Sequence, residues 1–500
     1  MTAAVAGTGN WSITRLAQAL EKKELSSEEL TGAALDSIDT WEPALHAYLS
    51  QMREHALDSA RASDRARLAD EKVSLLSGIP IALKDVLCLE NQPVTAGSRL
   101  LEGFTSPYTA TAVARLKAAG MVFVGKTNCD EFAMGSSTEN SGYGPTGNPW
   151  DPACSPGGSS GGSAATVAAR SVPCSLGTDT GGSIRQPASL CGVVGFKPTY
   201  GRVSRYGLIA FASSLDQIGP FTRRVEDAAL LYREMAGADP MDSTTLSDPV
   251  EDPVPQLSAG VAGLRLGVPR EYMGSALSPG VRAAVEAAIA LYQEQGAIIE
   301  EVSLPSTDLG LSTYYVIAPA ECSSNLARFD GVRYGNRLPS ELAPLTEMYL
   351  ETRRKGFGPE VKRRIMLGTY VLSHGYYDAY YRKAQQVRSL IANEFSTVFS
   401  KVDALIAPTS PSVAFPLGAK SDALSMYMCD VLTVPVNLAG LPGISIPCGF
   451  EDGLPVGLQV IGPRLADAMV LRVAHAYEEA SGWKDEAPKL PHTLTTGEAL

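Results

Sequence analysis

The chain has 500 residues, of which 45% are hydrophobic, so it can form a large buried core and is not an intrinsically disordered protein. It carries 42 Lys and Arg against 54 Asp and Glu, which gives a net charge of −12. This charge argues against broad binding of nucleic acid through its phosphates, so a partner chain would have to hold most of any RNA substrate.

The spacing of the cysteines and the lengths of the apolar segments argue against a zinc-binding, disulfide-rich, secreted or membrane-spanning protein. The nearest pair of the eight cysteines, Cys174 and Cys191, is 17 positions apart, so a Cys-x-x-Cys zinc site or a disulfide framework is not expected. No cluster of other metal ligands is evident either. The N-terminus does not resemble a signal peptide, and no apolar run reaches the roughly 18 residues of a membrane span. These features predict a cytoplasmic protein with reduced thiols and no bound metal.

The first quarter of the chain begins with helices and continues with strands. Ser12 is expected to cap a helix with an apolar face, and Ser26 with Glu29 forms a capping box at the next one. The stretch "GIPIALKDVLCL" (78–89) indicates a short buried strand that carries one lysine, Lys84. The stretch "TATAVARLKAAG" predicts a helix that ends at Gly120, and "MVFVG" after it predicts a strand.

The later segments continue the alternation of helices and strands. Residues 128–156 are polar and irregular, and such long segments are usually functional or disordered. Strands are predicted for "VDALIAPT", "GISIPCGF" and "GLPVGLQVIG", and a helix for "ADAMVLRVAHAYEEA". The pattern predicts an α/β fold with a central mixed β-sheet flanked by helices.

Gly-Gly-Ser sequences occur in two stretches, the first motif being "SPGGSSGGS" (155–163) and the second residues 181–183. A flexible linker is disfavoured because the first motif leads directly into an apolar segment, and a phosphate-binding loop would need a following Lys-Ser/Thr pair. The motif also matches the G-x-S-x-G elbow of serine hydrolases, but no strand precedes it. That elbow also needs a base, and none of the five histidines is a convincing one: His46, His55, His374, His475 and His492.

A lysine can replace histidine as the base if burial lowers its pKa toward neutrality. Lys84 is the candidate, because it lies among the apolar residues of the predicted strand. The alternative is a structural role, in which Lys84 extends to solvent or forms an ion pair with Asp85.

The blocks "GIPIALKD", "GGSSGGS" and "GTDTGGSIRQPASLCGVVGFKPTYGRVS" together resemble the amidase signature family, and the similarity covers nearly the whole chain. The resemblance implies that Ser183 is the nucleophile, Lys84 the base and Ser159, after a cis peptide bond, the proton relay between them. It further implies that the backbone of Thr180, Gly181 and Gly182 stabilises the oxyanion. A single domain over residues 1–500 is expected, with N-terminal helices (1–75), a catalytic core (about 76–235 and 400–480) and a helical segment (about 270–395).

Three later blocks resemble the A subunits of tRNA-dependent amidotransferases: "YYVIAPAECSSNLARFDGVRYG", "GFGPEVKRRIMLGTYVLSHGYYDAYYRKAQQVRSLI" and "YMCDVLTVPVNLAGLPGISIPCG". This resemblance implies a carbon–nitrogen ligase that uses glutamine as its amido donor. The chain would hydrolyse glutamine without a cofactor of its own, in a heterotrimer with a B and a C subunit. The B subunit would use ATP and Mg²⁺ to amidate misacylated Glu-tRNA(Gln), Asp-tRNA(Asn) or both.

Glutamine as the substrate calls for an arginine at its carboxylate and an acid at its ammonium group. The resemblance assigns these roles to Arg363 and to Asp430, the latter helped by Tyr314. The adjacent Arg364 leaves the position of the arginine open by one residue. A stand-alone amidase for apolar amides is the alternative function, and it would not need this charged set.

Overall fold

The computed structural model describes residues 8–338, 344–420 and 422–490. The predicted domain of residues 1–500 extends beyond these ranges at both ends, and His492 lies outside them. The described helices are α1 (Ile13–Glu21), α2 (Ser27–Leu45), α3 (Arg53–Leu68), α4 (Thr111–Ala118), α5 (Gly161–Ala168), α6 (Arg185–Cys191), α7 (Val225–Met235), α8 (Pro279–Glu294), α9 (Gly310–Asn325), α10 (Leu345–Gly356), α11 (Pro359–Val371), α12 (Lys383–Phe399), α13 (Ala423–Tyr427), α14 (Val434–Leu438) and α15 (Asp467–Ser481).

The strands of the described residues form one mixed sheet of eleven strands, which confirms the predicted fold class. They are β1 (Tyr48–Gln51), β2 (Pro80–Lys84), β3 (Val122–Thr127), β4 (Cys174–Asp179), β5 (Val194–Lys197), β6 (Gln217–Thr222), β7 (Arg265–Pro269), β8 (Ile298–Val302), β9 (Ala404–Pro408), β10 (Gly443–Glu451) and β11 (Leu454–Ile461). Their order across the sheet is β1-β3-β2-β4-β6-β5-β10-β11-β9-β7-β8.

The local signals near the N-terminus have their predicted effects. The Ser12 side chain accepts the Arg15 N–H at the start of α1, and the Ser26–Glu29 capping box is complete at the start of α2. Helix α4 ends at Ala118, and Gly120 then turns the chain with a φ of +81°, which favours glycine. Strands β2, β3, β9, β10 and β11 occupy the stretches that the sequence indicated.

The arrangement of β2 and β4 decides where the site lies. The two strands are parallel neighbours, so their carboxyl ends meet at the same edge of the sheet. Lys84 is the last residue of β2, and Asp179 is the last residue of β4. Every residue of both strands is buried, as is typical of a sheet covered on both faces. Residues that follow these two strands are therefore brought together in the interior of the protein.

Candidate active site

Lys84 extends from the end of β2 into a fully buried polar cluster. Its side-chain Nζ donates to Ser159 Oγ at 2.7 Å and to Thr178 Oγ1 at 2.8 Å. The three residues are buried, with exposures of 2% or less. The lysine and the first Gly-Gly-Ser motif, 75 positions apart in sequence, are thus in direct contact.

Burial also sets the charge state of this lysine. Loss of hydration lowers the pKa of Lys84 to about 8, although negative groups around it, such as Asp130 and Asp179, oppose the shift. A lysine with this pKa is partly neutral near neutral pH and can accept a proton. The ion pair with Asp85 that the sequence left open is not formed, because Asp85 binds Lys126 instead, with 2.8 Å between Nζ and Oδ1.

The "SPGGSSGGS" stretch is an ordered turn that leads into α5, which begins at Gly161. The peptide bond between Gly158 and Ser159 is cis, as the family resemblance implied. The Gly158 N–H donates to Gln186 Oε1 at 3.0 Å, and the Ser159 carbonyl accepts the Asp130 N–H at 3.2 Å. The hydrogen bonds with Gln186 and Asp130 therefore hold the backbone of the turn in place, which excludes a flexible linker.

The second Gly-Gly-Ser motif lies in the loop between β4 and α6. The Asp179 carboxylate fixes the conformation of this loop by accepting hydrogen bonds from the N–H groups of Gly182 at 2.8 Å and of Ile184 at 3.2 Å. Arg185, which has no exposed surface, forms an ion pair with Asp179 at 3.0 Å. Burial raises the pKa of Asp179, but the charge and hydrogen bonds of Arg185 outweigh it and hold the value at about 2. The carboxylate therefore stays ionised and keeps the loop in place.

Ser183 follows these anchored residues and is 6% exposed. Its hydroxyl has no hydrogen-bond partner in the part of the chain that the structure describes, so it can face a substrate. The backbone N–H groups of Thr180 and Gly181 likewise have no acceptor among the described residues. They can donate to an oxyanion formed next to Ser183, the geometry that stabilises acyl-transfer intermediates.

Gly182, the third residue assigned to the oxyanion hole, differs from the other two. Its N–H is already bonded to Asp179, so it has no free donor in this arrangement. Its φ of +141° favours glycine, and Oγ1 of Thr433 fills the space that a Cβ would need. Gly182 therefore shapes the loop, and the donors we propose are Thr180 and Gly181.

Asp430 reaches the same loop from the segment after α13. Ser136 donates to its Oδ2 at 2.5 Å, whereas its buried Oδ1 has no partner among the described residues. Oδ1 lies 3.1 Å from the position that a Cβ on Gly182 would take, next to the proposed nucleophile. Burial raises the pKa of Asp430 to about 7, against the hydrogen bond from Ser136. An unpaired buried carboxylate oxygen of this kind suits a cationic ligand group.

Tyr314 in α9 forms another wall beside the loop. A Cβ on Gly181 would lie 2.9 Å from Cζ of the Tyr314 ring and 3.1 Å from its hydroxyl oxygen. The ring thus packs closely against the loop, and it is 5% exposed. The assignments of Asp430 and Tyr314 to a substrate site are consistent with their positions.

The two adjacent arginines, Arg363 and Arg364, point in different directions. The Arg363 side chain is 56% exposed and is held at the surface by an ion pair with Glu360. Arg364 points inward: its side chain is 4% exposed, and its guanidinium lies 5.2 Å from the centre of the Tyr315 ring and 5.5 Å from that of Tyr427. Consecutive residues of a helix differ in direction by about 100°, which accounts for the contrast. The geometry does not support Arg363 and favours Arg364.

Two polar contacts of the site cannot be read from the sequence. Thr178, which holds Lys84, lies within β4, and Ser136, which holds Asp430, lies in the irregular segment. The polar, irregular character of residues 128–156 indicated a functional segment but did not single out Ser136. The parallel pairing of β2 with β4, which places Thr178 beside Lys84, becomes evident only from the fold.

One group of residues elsewhere has the composition of a metal site. The ligand atoms of His475, Glu478 and Glu479 lie within 4.8 Å of one another. The Glu478 carboxylate accepts the Val225 N–H, and Glu479 pairs with Lys484 at 2.6 Å, so these groups have structural partners.

Among the described residues, no helix combines the length and the apolar character needed to cross a membrane.

Comparison with known proteins identifies the family. The sequence profile of the family described as Amidase matches residues 29–471, so the chain belongs to the amidase family, as its motifs predicted. The A subunit of the glutamyl-tRNA(Gln) amidotransferase of Chloroflexus aggregans is 58% identical over 473 residues, which cover 94% of this chain and 96% of that protein.

Comparison with solved structures shows that the fold does not determine the substrate. The A subunit of the glutamyl-tRNA(Gln) amidotransferase of Thermotoga maritima is 44% identical, has a TM-score of 0.81, and the match covers 97% of this chain and 99% of that one. A bacterial aryl acylamidase of the amidase signature family is 26% identical, yet it has a TM-score of 0.84 with coverage of 98% and 99%. Enzymes with different substrates share this fold, so the substrate has to be argued from the site and from closer relatives.

Proposed function

We propose that this chain is the glutaminase subunit of a tRNA-dependent amidotransferase. The observation that carries the proposal is the carboxylate oxygen of Asp430 beside the loop of Ser183, which has no partner among the described residues and lies within the electrostatic influence of the buried Arg364. Relatives that match nearly the whole chain bear the name of this subunit, which confirms the predicted enzyme class. The alternative, a stand-alone amidase for apolar amides, does not need the charged groups.

The chemistry proceeds in two halves on Ser183. In the reacting complex the Ser183 hydroxyl would turn to donate to Ser159, which takes its proton and passes its own proton to neutral Lys84, while Ser183 Oγ attacks the side-chain amide carbon of glutamine. The N–H groups of Thr180 and Gly181 stabilise the oxyanion. The proton then returns through Ser159 to the leaving nitrogen, the C–N bond breaks, and ammonia departs. Water attacks the resulting ester by the same proton path and releases glutamate, which restores Ser183.

The charged ends of glutamine fit the walls of this site. The α-ammonium would bind Asp430 Oδ1, which lacks a partner among the described residues, and the α-carboxylate would bind Arg364. Glu360 accepts from Arg364 Nε at 2.8 Å, and neither Nη atom has a hydrogen-bond acceptor among the residues that the structure describes, so both can bind a carboxylate. Tyr314 would orient the aliphatic part of the substrate against the loop. An apolar amide would offer no charged partner to the buried Oδ1 of Asp430 or to the guanidinium of Arg364, which is unfavourable.

The ammonia is used by another chain of the complex. We assign ATP and Mg²⁺ to a B subunit that activates and amidates misacylated Glu-tRNA(Gln), Asp-tRNA(Asn) or both, and we expect a C subunit in a cytoplasmic heterotrimer. The net charge of −12 supports this division, because a chain of that charge is poorly suited to bind tRNA by itself. The misacylated tRNA would therefore meet this chain through the complex.

The paired arginines test the substrate assignment. We expect Arg364→Lys to raise KM for glutamine by about 10- to 100-fold, because lysine cannot make the two parallel bonds of a guanidinium to a carboxylate. Arg363→Lys is the matched control and should change KM by no more than about 2-fold, since its side chain is exposed. Steady-state kinetics of both variants would decide. The reverse result would return the role to Arg363.

The assembly is tested by purifying the tagged chain from extract of its own organism under native conditions. Recovery of B-type and C-type subunits, and glutamine-dependent amidation of tRNA by the recovered complex, are expected. Efficient hydrolysis of apolar amides, with no hydrolysis of glutamine in the presence of the co-purified proteins, would establish the stand-alone amidase instead.

A further inference from the structure

An outward face of the molecule near α11 is apolar and aromatic. Six of its side chains are between 38% and 73% exposed: Met366, Leu367, Tyr370, Tyr376, Tyr377 and Tyr380. We call these six residues the tyrosine stripe. The first three share one face of α11 by their spacing, and the others follow in the turn and in the π-helix Tyr377–Arg382 before α12. π-Helical turns are rare and often occur at functional sites.

The rings of the stripe support one another while remaining open to solvent. The centres of Tyr370 and Tyr376 are 4.4 Å apart, and those of Tyr376 and Tyr380 are 6.0 Å apart. Tyr377 lies 5.3 Å from Tyr381 in the same way. A contiguous apolar patch of this kind typically marks an interaction site, and Tyr and Met are enriched in the cores of protein interfaces.

The stripe begins next to the proposed substrate site. On α11, Arg363 precedes Met366 by three residues and lies on the same outer face, whereas Arg364 faces the site. Glu360 connects the two sides, because it binds both arginines and accepts the Tyr427 hydroxyl at 2.8 Å. Tyr427 is three residues from Asp430. The same short helix thus forms a wall of the site and carries the start of the exposed patch.

We propose that the tyrosine stripe is the docking surface for the subunit that receives the ammonia. This inference rests on the proposed function, in which ammonia has to pass to the partner before it escapes into solvent. A partner seated on the stripe would lie against the wall of the site. Its complementary face would be apolar with an acidic rim, since residues 326–388 carry 12 Lys and Arg against six Asp and Glu in a chain of net charge −12.

A protein fits this surface better than RNA. Two arginines directly beside the stripe already have acidic partners: Arg382 binds Asp378 at 3.0 Å, and Arg363 binds Glu360. Paired cations are poor ligands for phosphate. The aliphatic side chain of Met366, which is 73% exposed, has no role in binding a nucleic acid backbone but suits an apolar interface.

The test is to measure the affinity of the full-length chain for the recombinant B subunit of the same organism, with the variants Met366→Glu and Tyr376→Glu. Both positions are exposed, so folding should be kept, as circular dichroism and Tm would show. We expect each variant to weaken the affinity at least about 10-fold and to lower tRNA amidation, with kcat and KM for any glutamine hydrolysis by the isolated chain unchanged. The control is Leu68→Glu at the end of α3, an equally open position at 69% exposure, which should have no effect.

Unchanged affinity in both stripe variants would overturn the inference while leaving the proposed function intact. So would a loss of tRNA affinity at constant affinity for the B subunit, which would assign the stripe to RNA. The proposed function itself would fail in a different way, because then even the unmodified chain would show no binding to the B subunit.

Discussion

Replacing Ser183 by alanine is expected to abolish glutamine hydrolysis, with a fall in kcat of about 10⁴-fold or more. Ser183 lies in the anchored loop between β4 and α6, and its hydroxyl has no hydrogen-bond partner among the described residues. No acyl-enzyme can form without this hydroxyl. The loop itself should keep its shape, since Asp179 holds the backbone on both sides of this residue through Gly182 and Ile184. Hydrolysis of glutamine and mass spectrometry of the acylated peptide would measure the effect.

Ser160 offers a matched control for this experiment. It is a buried serine in the first Gly-Gly-Ser motif, and its hydroxyl bridges the backbone of Thr178, donating to the carbonyl at 3.1 Å and accepting the N–H at 3.2 Å. Ser160→Ala should lower stability by about 1–2 kcal/mol and leave the acyl-enzyme detectable. Retention of more than a tenth of the activity by Ser183→Ala, or an acyl group found on another residue, would refute the assignment.

The sequence singled out the residues that we propose for the reaction because each lies in a contiguous motif whose chemistry is unusual. A lysine in a short apolar strand and serines among glycines are costly choices for ordinary structure, so Lys84, Ser159 and Ser183 stood out. The contact between Lys84 and Ser159 is shown by the structure, and the parallel pairing of β2 with β4 places the loop of Ser183 at the same edge of the sheet.

The assignment of the substrate-binding residues depends on features of the tertiary structure that the sequence does not determine to the exact residue. The difference between Arg363 and Arg364 is the phase of α11 relative to α9, and adjacent arginines give no apolar periodicity by which to set it. Ser136 belongs to an irregular segment without a repeating pattern, so its contact with Asp430 needs the tertiary structure. The hydrogen bond from the Gly182 N–H to Asp179 likewise depends on the orientation of the Asp179 carboxylate, which the sequence does not show.

Lys84→Met is expected to separate stability from activity. Removing the base should lower kcat by about 10³-fold or more, since proton transfer to and from the two serines is lost. The same change should stabilise the fold at pH 7 by up to about 3 kcal/mol, because the shift of the lysine pKa from 10.5 to about 8 corresponds to that penalty. Loss of the contacts to Ser159 and Thr178 offsets part of the gain. Chemical denaturation and glutaminase kinetics on the same preparation would measure both effects.

The pH dependence of each effect has a definite sign. Because the pKa of Lys84 is lower in the folded protein, the unfolded chain binds the extra proton between pH 8 and 10.5, and stability rises with pH across that window. The advantage of Lys84→Met should therefore be full below pH 8 and vanish as the pH approaches 10.5. Activity of the unmodified enzyme should rise with pH up to about 8, as Lys84 becomes neutral, and KM should fall through pH 7 as Asp430 ionises.

Lys84→Arg is the decisive companion variant, since arginine keeps its charge throughout this range. It should be inactive at every pH, with no alkaline recovery, if the neutral amine is the base. An active Lys84→Arg enzyme, or a Lys84→Met enzyme with the same pH profile as the unmodified protein, would show that the buried lysine only holds Ser159 in place. The mechanism thus requires that both Lys84 variants lose activity and that their residual activity no longer rises with pH up to about 8.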